Sequence, residues 1–179
     1  EIGAGGGSIA AAAGGFTTLQ ATAIDGVSAD GSTATGGTIR LIADGGNLSL
    51  LGTGLDASAT SGGDDAGSPS LASGGTIAIQ VAAAPNSQLA VDFLEANADA
   101  QAAANYDGIV ETTGDARGGT VTVDVQGGSL TTTNTSFGLN LTAQAIGGIG
   151  NEGRGGSVTF TQTGGDVNIR DLTLNTDGQ

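Results

Sequence analysis

Acidic and arginine side chains occur together at two equivalent places in the sequence. Asp115-Ala116-Arg117 and Glu152-Gly153-Arg154 each set a carboxylate two residues before an arginine, and each directly precedes a pair of glycines. If these segments lie in adjacent layers of a fold, the two pairs can form a small ladder of ion pairs. Exposed ion pairs usually contribute only about 0 to 1 kcal/mol, so we interpret them as local ordering rather than as catalytic groups.

The residue types that most enzyme sites require are absent from the sequence. There is no cysteine or histidine, and all four basic residues are arginine, which excludes thiol nucleophiles, imidazole bases, Schiff-base lysines and nearly all zinc sites. The 18 acidic residues give a net charge of −14, which repels nucleic-acid phosphates and anionic membrane surfaces. No apolar run approaches the roughly 18 residues of a membrane helix, so we predict no membrane insertion.

A glycine pair followed by alternating apolar residues recurs along the chain. The phrase Gly36-Gly37-Thr38-Ile39-Arg40-Leu41 has near-copies that begin at 74, 118 and 155 and a weaker copy at 6. Their second glycines, at 7, 37, 75, 119 and 156, are 30, 38, 44 and 37 residues apart. Periods of this size are typical of solenoids. We therefore predict one repeat segment over residues 1–179, with coils that begin near 6, 36, 74, 118 and 155.

Each repeat contains three short runs in which apolar residues alternate with polar ones, and this period of two predicts strands with one buried face. The first run follows the glycine pair, the second follows a Gly-Gly or Pro-Asn corner, and the third is rich in alanine. In the third repeat the alanine run from 94 to 104 could form a helix by propensity. Alignment of Ala100-Gln101-Ala102 with Ala143-Gln144-Ala145 favours a strand instead.

Three strands that return to the same register predict an all-β fold, a right-handed parallel β-helix (solenoid) of about five three-stranded coils. With strands about 4.8 Å apart, five coils make a rod roughly 24 Å long. The repeats differ most over residues 24–35, 61–73, 103–117 and 146–154. These segments occupy the same place in each repeat, which predicts variable insertions at one corner.

Many of the carboxylates fall in this variable corner, where stacked coils would bring them together. Calcium takes six to eight oxygen ligands, and the calcium candidates are Asp64, Asp65, Asp107 and Asp115. No EF-hand loop and no calcium-binding nonapeptide repeat is present, so we favour solvated acidic turns that discourage aggregation, with no cofactor. The candidates for contact with a partner are Tyr106, Asp107, Glu111, Arg117, Glu152 and Arg154.

Neither end of the sequence supplies a capping helix, and residues 172–179 still read as a strand. Terminal repeats of solenoids need caps, and an exposed strand edge is a template for pairing. We therefore expect flanking coils of the same polypeptide, in a longer shaft or filament, or other copies of the chain, to cover both ends.

The phrases Gly-Gly-Thr-Ile-Arg-Leu-Ile-Ala at 36–43, Gly-Thr-Gly-Leu-Asp-Ala-Ser-Ala at 52–59 and Ala-Ser-Gly-Gly-Thr-Ile-Ala-Ile at 72–79 resemble the repeats of bacterial filamentous-haemagglutinin-type adhesins. The resemblance implies a large secreted protein with a long right-handed β-helical shaft. It also implies display at the bacterial cell surface by a two-partner or autotransporter-like route. No secretion domain of that family is recognisable in the chain.

These observations lead to two functional hypotheses. The first is a noncatalytic structural segment of a secreted adhesin or extracellular filament, which stacks end to end and presents acidic corner loops to a host or environmental glycan or protein. The second is a carbohydrate-binding or carbohydrate-cleaving β-helix. In the cleaving case the carboxylate and arginine at Asp115 and Arg117 would match the minimum equipment of β-helical polysaccharide lyases, and Arg117→Ala would abolish turnover.

Overall fold

The computed structural model describes residues 2–5, 8–10, 17–25, 32–62, 70–102, 114–134, 136, 138–148 and 151–179. Within these ranges the chain forms 23 strands and no helix, and therefore no helix that could cross a membrane. Every pairing between these strands is parallel, as the ladder of β6, β11 and β16 illustrates (Thr38–Asp44, Thr76–Val81 and Thr120–Val125). The predicted all-β, parallel fold is confirmed.

The strands form five sheets, numbered here in the order in which the chain visits them. Sheet I contains β1 (Ile2–Gly5), β6, β11, β16 and β21 (Ser157–Gln162). Sheet II contains β2 (Ser8–Ala10), β7 (Asn47–Leu50), β12 (Gln88–Val91), β17 (Ser129–Thr132) and β22 (Asp166–Asn168). Sheet III contains β3 (Thr17–Gln20), β8 (Thr53–Asp56), β13 (Leu94–Asn97), β18 (Leu139–Thr142) and β23 (Leu172–Asn175).

Two smaller sheets complete the circuit. Sheet IV contains β4 (Ala23–Asp25), β9 (Ala59–Ser61), β14 (Ala100–Gln101) and β19 (Ala145–Ile146), and sheet V contains β5 (Thr33–Thr35), β10 (Ser70–Ser73), β15 (Gly114–Arg117) and β20 (Gly153–Arg154). After sheet V the chain returns to sheet I beside the strand it formed one repeat earlier. Parallel sheets stacked in register in this way agree with a parallel β-helix or solenoid.

Apolar side chains form continuous rows inside this stack because equivalent residues of successive repeats pair with each other. In sheet I, Ile77 pairs with Ile39 and Val121, and all three are at most 4% exposed. Burial of each such side chain stabilises the fold by about 1.5 to 3 kcal/mol. The residues between them face outward, so the row Arg40, Ala78, Thr122 and Thr159 is exposed or half-buried, as the alternation predicts.

The interior is divided into two compartments. Sheets I, II and III enclose a core of isoleucine, leucine, valine and alanine, whereas the apolar residues buried between sheets IV and V are all alanine and are joined there by the buried serines Ser61 and Ser70. The glycine pairs lie where the two compartments meet, at a constriction of the interior that we call the waist. The Gly75 amide donates to the Ala57 carbonyl at 2.7 Å, and Gly119 donates in the same way to Ala98 at 2.7 Å. A backbone bond across the interior, repeated in each layer, holds the waist closed.

The waist explains why Gly74 and Gly75 must be glycine. A Cβ on Gly74 would lie 2.0 Å from the Ala98 carbonyl oxygen, and one on Gly75 would lie 2.1 Å from the Gly37 carbonyl oxygen. These oxygens belong to backbone that is fixed by strand pairing, so no side chain fits. Left-handed backbone is found instead at the next corner, between sheets I and II, where Gly45, Asn86, Gly128 and Gly165 have φ between 65° and 72°. The predicted corner there is confirmed.

The first four repeats have five strands each where the sequence predicts three, and the last described repeat has three, β21, β22 and β23. The third predicted run divides at residues such as Ala57-Ser58, where the Ala57 carbonyl turns inward to accept the bond from Gly75. A further short strand, such as β10, directly precedes the glycine pair. The alanine run 94–104 is described as far as Ala102 and forms β13 and β14 with a break at 98–99, and Ala96, Ala98, Ala100 and Ala102 are buried.

The alignment used to predict that strand was wrong by two residues. Ala100 pairs with Ala145 and Gln101 pairs with Ile146. Ala143 therefore lies beside Ala98 in the neighbouring layer, and not beside Ala100. A slip of two residues keeps the same side chains on the same face of a strand. The predicted burial of alternate alanines therefore survives the misalignment.

Candidate functional site

The variable segments all connect a strand of sheet IV to a strand of sheet V, so they occupy equivalent places in successive repeats. Most of the predicted site residues within them lie outside the described residues, namely Asp64, Asp65, Tyr106, Asp107 and Glu111. Their roles stay predictions. The structure places the remaining candidates, Asp115, Arg117, Glu152 and Arg154, in or beside sheet V.

The second acid–arginine pair forms an ion pair at the edge of sheet V. An Arg154 terminal guanidinium nitrogen lies 2.7 Å from Glu152 Oε2, and Arg154 Nε donates to the same oxygen at 2.8 Å. This hydrogen bond, followed by the charge of Glu152, raises the pKa of Arg154, with a smaller contribution from the Asp115 charge, while desolvation opposes the shift. Both side chains are about two-thirds exposed or more, at 68% and 71%, so the pair orders the surface and adds little stability.

The first acid–arginine pair does not form an ion pair among the described residues. Asp115 and Arg117 lie two apart on β15, where side chains on the same face run side by side. Arg117 is instead the register partner of Arg154, so two arginines are neighbours on the outer face of sheet V. The predicted ladder of ion pairs therefore consists of one pair in the described part of the chain.

No metal site is assembled by the residues that the structure describes. Within the described ranges no group of three or more histidine, cysteine, aspartate or glutamate side chains could hold an ion. Asp115, the calcium candidate that is described, lies exposed on β15. The other three calcium candidates are in the part of the corner that is not described.

Apolar side chains are exposed on β23, the last described strand of sheet III, which we call the open end. Leu172 and Leu174 on β23 are 41% and 48% exposed, whereas their register partners Leu139 and Leu141 are 2% and 0% exposed. Among the described residues, β21, β22 and β23 each pair with a strand on one side only. The exposed leucines therefore face the side on which a further layer of strands would lie.

A groove that the sequence analysis missed lies at the corner between sheets II and III. Two residues make this corner after β7 and after β12, but six residues, 133–138, make it after β17. Beside this longer corner is a groove of about 570 Å³. The groove is lined by Phe93, Leu94, Glu95, Ser136, Gly138, Leu139, Asn140, Asp171 and Thr173. The extra residues can be recognised by comparing the repeats in the sequence. The residues of other layers that line the groove beside them cannot, because they depend on the strand register.

The longer corner is attached to its neighbours by hydrogen bonds at its beginning and at its end. The Asn134 amide donates to the Asp92 carbonyl at 3.1 Å, and the Ser136 amide donates to Asn134 Oδ1 at 2.7 Å. At the other end, the Leu139 amide donates to the Asp171 carbonyl at 2.8 Å. These bonds attach Asn134 and Leu139, which flank the corner's central residues, to neighbouring layers.

A second depression, of about 280 Å³, lies at the bend between sheets III and IV. Its polar groups are already engaged with each other. Asp99 accepts a hydrogen bond from the Gln144 amide at 2.7 Å and another from Thr142 Oγ1 at 2.9 Å, and Asp56 accepts from the Ser58 amide at 3.0 Å. These side chains stabilise the bend, which satisfies them without a ligand.

No protein-family model, curated protein or solved structure matches the chain. The resemblance to filamentous-haemagglutinin-type repeats therefore depends on the glycine, alanine and threonine phrases alone. The function must be argued from the surfaces described above, which are the open end, the acidic corner and the groove.

Proposed function

We propose that the chain is a noncatalytic structural segment of a secreted bacterial adhesin or extracellular filament, which extends by stacking end to end. The observation that carries the proposal is the exposure of the inward-facing leucine row at β23. The same row is closed to solvent in the interior layers and open in the last described one.

Stacking would continue interactions that already hold the fold together. A strand added to β21, β22 or β23 would pair with its free backbone groups, as strand edges generally do. It would also cover Leu172 and Leu174, which are exposed, and Val158 and Phe160, which are half-buried. A head-to-tail contact of this kind does not close on itself and produces a filament.

The proposed segment is a right-handed β-helix of about five coils, since parallel crossovers between strands are right-handed in nearly all proteins. Stacked copies would repeat the acidic segments that connect sheets IV and V along a shaft. A net charge of −14 keeps such shafts from associating sideways. Lateral repulsion and apolar ends together favour growth along one axis.

Sedimentation velocity over a range of protein concentrations tests the stacking. Wild-type protein is expected to sediment faster as its concentration rises, whereas Leu174→Asp, which places a charge on the open end, is expected to stay monomeric. Thr159→Asp is the matched control, because it introduces the same charge on the outer face of β21 beside Thr122. Monomeric wild-type protein at every concentration, or equal association of Leu174→Asp, would contradict the proposal.

A further inference from the structure

We infer that the last waist of the described chain is a binding site for an extended segment of another polypeptide in which a glycine precedes a strand, as in Gly-Gly-Thr-Ile. The site, which we call the open waist, is formed by the backbone of Gly155, Gly156 and Thr176. It lies where β20 and β21 have a paired strand on one side only. The inference goes beyond the structural role proposed above and does not depend on whether copies of the chain stack.

The Thr176 carbonyl is a waist acceptor that has no donor. Thr176 follows Asn175, the register partner of Thr142, so it occupies the position that Ala143 has in the repeat before. At this position in each earlier repeat, the carbonyl accepts the amide of the second glycine in the next pair. The four bonds of this kind run from Gly37 to Ala21, from Gly75 to Ala57, from Gly119 to Ala98 and from Gly156 to Ala143, at 2.6 to 2.7 Å. In the described part of the chain no hydrogen bond reaches the Thr176 carbonyl.

Two backbone groups of the last glycine pair also lack the partners that they have in earlier repeats. The first glycine of a pair donates to the carbonyl just before the next pair, as Gly118 donates to Arg154 at 2.9 Å. The second glycine accepts the amide that follows the next pair, as Gly119 accepts from Ser157 at 2.9 Å. Among the described residues, the Gly155 amide and the Gly156 carbonyl make neither bond.

A segment with the sequence x-Gly-Gly-Thr can satisfy these three groups together. The carbonyl of x would accept the Gly155 amide, the second glycine would donate to the Thr176 carbonyl, and the threonine amide would donate to the Gly156 carbonyl. Strand edges with free donors and acceptors bind extended peptides in this way. Because the same bonds already join the earlier repeats, the fold presents the three groups in the required arrangement.

Sterics require glycine at only one of the two positions in the incoming segment. A Cβ on Gly156, the second glycine of its pair, would lie 2.0 Å from the Gly119 carbonyl oxygen. An incoming second residue would meet the Gly156 oxygen in the same way. A Cβ on Gly74, the first glycine of its pair, would instead lie 2.0 Å from the Ala98 oxygen, at a later bend of its own repeat. A short segment has no such bend, so alanine fits at its first position.

The open waist stays accessible in the described structure and in a stack. Ile2 lies in the register column that ends at Phe160, so a second copy stacked in register would begin its described pairing beyond Gly156. Gly178 lies against the edge, where a Cβ would be 2.8 Å from the Gly155 nitrogen. Gly178 is exposed and its own backbone makes no hydrogen bond among the described residues, so the segment can displace it.

NMR titration of the isotope-labelled full chain with the capped peptide Ala-Ser-Gly-Gly-Thr-Ile, which copies residues 72–77, tests the inference. The Gly155 amide proton is expected to shift downfield and to exchange more slowly with solvent, because it gains an acceptor. The Gly118 amide is the internal control and should not change, since it already donates to Arg154.

Two variant peptides separate this site from general pairing at a strand edge. Ala-Ser-Ala-Gly-Thr-Ile, with alanine at the first position, should bind as the parent peptide does. Ala-Ser-Gly-Ala-Thr-Ile should bind at least about tenfold more weakly, because its added Cβ would overlap the Gly156 backbone. The inference is overturned if the parent peptide leaves the Gly155 amide unchanged, or if the two variant peptides bind equally.

Discussion

Substitution of Gly75 by alanine tests the waist that divides the interior. The new Cβ would lie 2.1 Å from the Gly37 carbonyl oxygen and 2.6 Å from the Gly36 carbonyl carbon, so it would overlap backbone atoms. That Gly37 oxygen already accepts the Thr76 amide at 2.9 Å, and the Gly75 amide donates to Ala57 at 2.7 Å. The overlap can be relieved only by moving one layer away from the next and stretching both bonds.

The expected cost follows from these contacts. Overpacking against a rigid neighbour costs typically about 1 to 3 kcal/mol, and each weakened backbone hydrogen bond costs about 1 kcal/mol, for a total of about 3 to 5 kcal/mol. In a protein of this size each kcal/mol lowers the melting temperature by about 2 to 4 °C. Thermal unfolding followed by far-UV circular dichroism should therefore show a decrease of about 6 to 20 °C.

Gly37 provides a matched control in the same phrase. Its added Cβ would lie 2.9 Å from the Ala21 side-chain carbon and 3.2 Å from the Ala21 carbonyl oxygen, so it requires a smaller displacement than a Cβ on Gly75, which would lie 2.1 Å from a backbone oxygen. Replacing glycine by alanine also stabilises by about 0.4 to 1 kcal/mol through the unfolded chain where the backbone is compatible. Gly37→Ala should therefore change the melting temperature by only a few degrees. Equal effects of Gly37→Ala and Gly75→Ala would refute the steric account of the glycine pairs.

Three further predictions concern the two compartments and the surface. Leu141→Ala, at a fully buried position, should destabilise by about 2 to 5 kcal/mol, whereas Leu174→Ala in the same row should cost much less in urea unfolding of the monomer; equal losses would contradict the row assignment. Ala100→Val should overpack the alanine compartment at a cost of about 1 to 3 kcal/mol, while Thr60→Val, on the outward face of the same sheet, should leave the urea midpoint unchanged. Arg154→Gln should change the melting temperature little, because its ion pair with Glu152 is exposed, and by the same amount across the neutral pH range, because Glu152 raises the pKa of an arginine that is already charged there; a pH-dependent loss near neutrality would count against this.

The strands of sheet I could be predicted from sequence because the alternation of apolar and polar side chains shows which residues are buried. Ile77, Ile79 and Val81 alternate with polar or small residues, and a period of two in β-branched residues needs a strand with one buried face. The repetition of this pattern after each glycine pair then predicts parallel stacking. The corner between sheets I and II was also predictable, since Gly128 and Asn86 are residue types that tolerate positive φ.

The waist and the groove could not be predicted, because both depend on contacts between residues far apart in the chain. The bend at Ala57 exists because its carbonyl accepts a hydrogen bond from the Gly75 amide. The residue type alanine does not indicate that its backbone makes such a bond. The misaligned alanine run has a related cause, since alternating alanines look alike when shifted by two residues. The groove needs Phe93, Gly138 and Asp171 to fall in one column, which only the strand register reveals.

Electron cryo-microscopy of the concentrated wild-type protein tests the central claim, end-to-end stacking, most directly. The account predicts filaments one molecule wide, in which the strand spacing of about 4.8 Å continues without interruption from β21, β22 and β23 of one copy into the first strands of the next. Leu174→Asp should give separate particles under the same conditions. Separate wild-type particles with ordered ends, or copies that associate through their sides with Leu172 and Leu174 still exposed, would contradict the account.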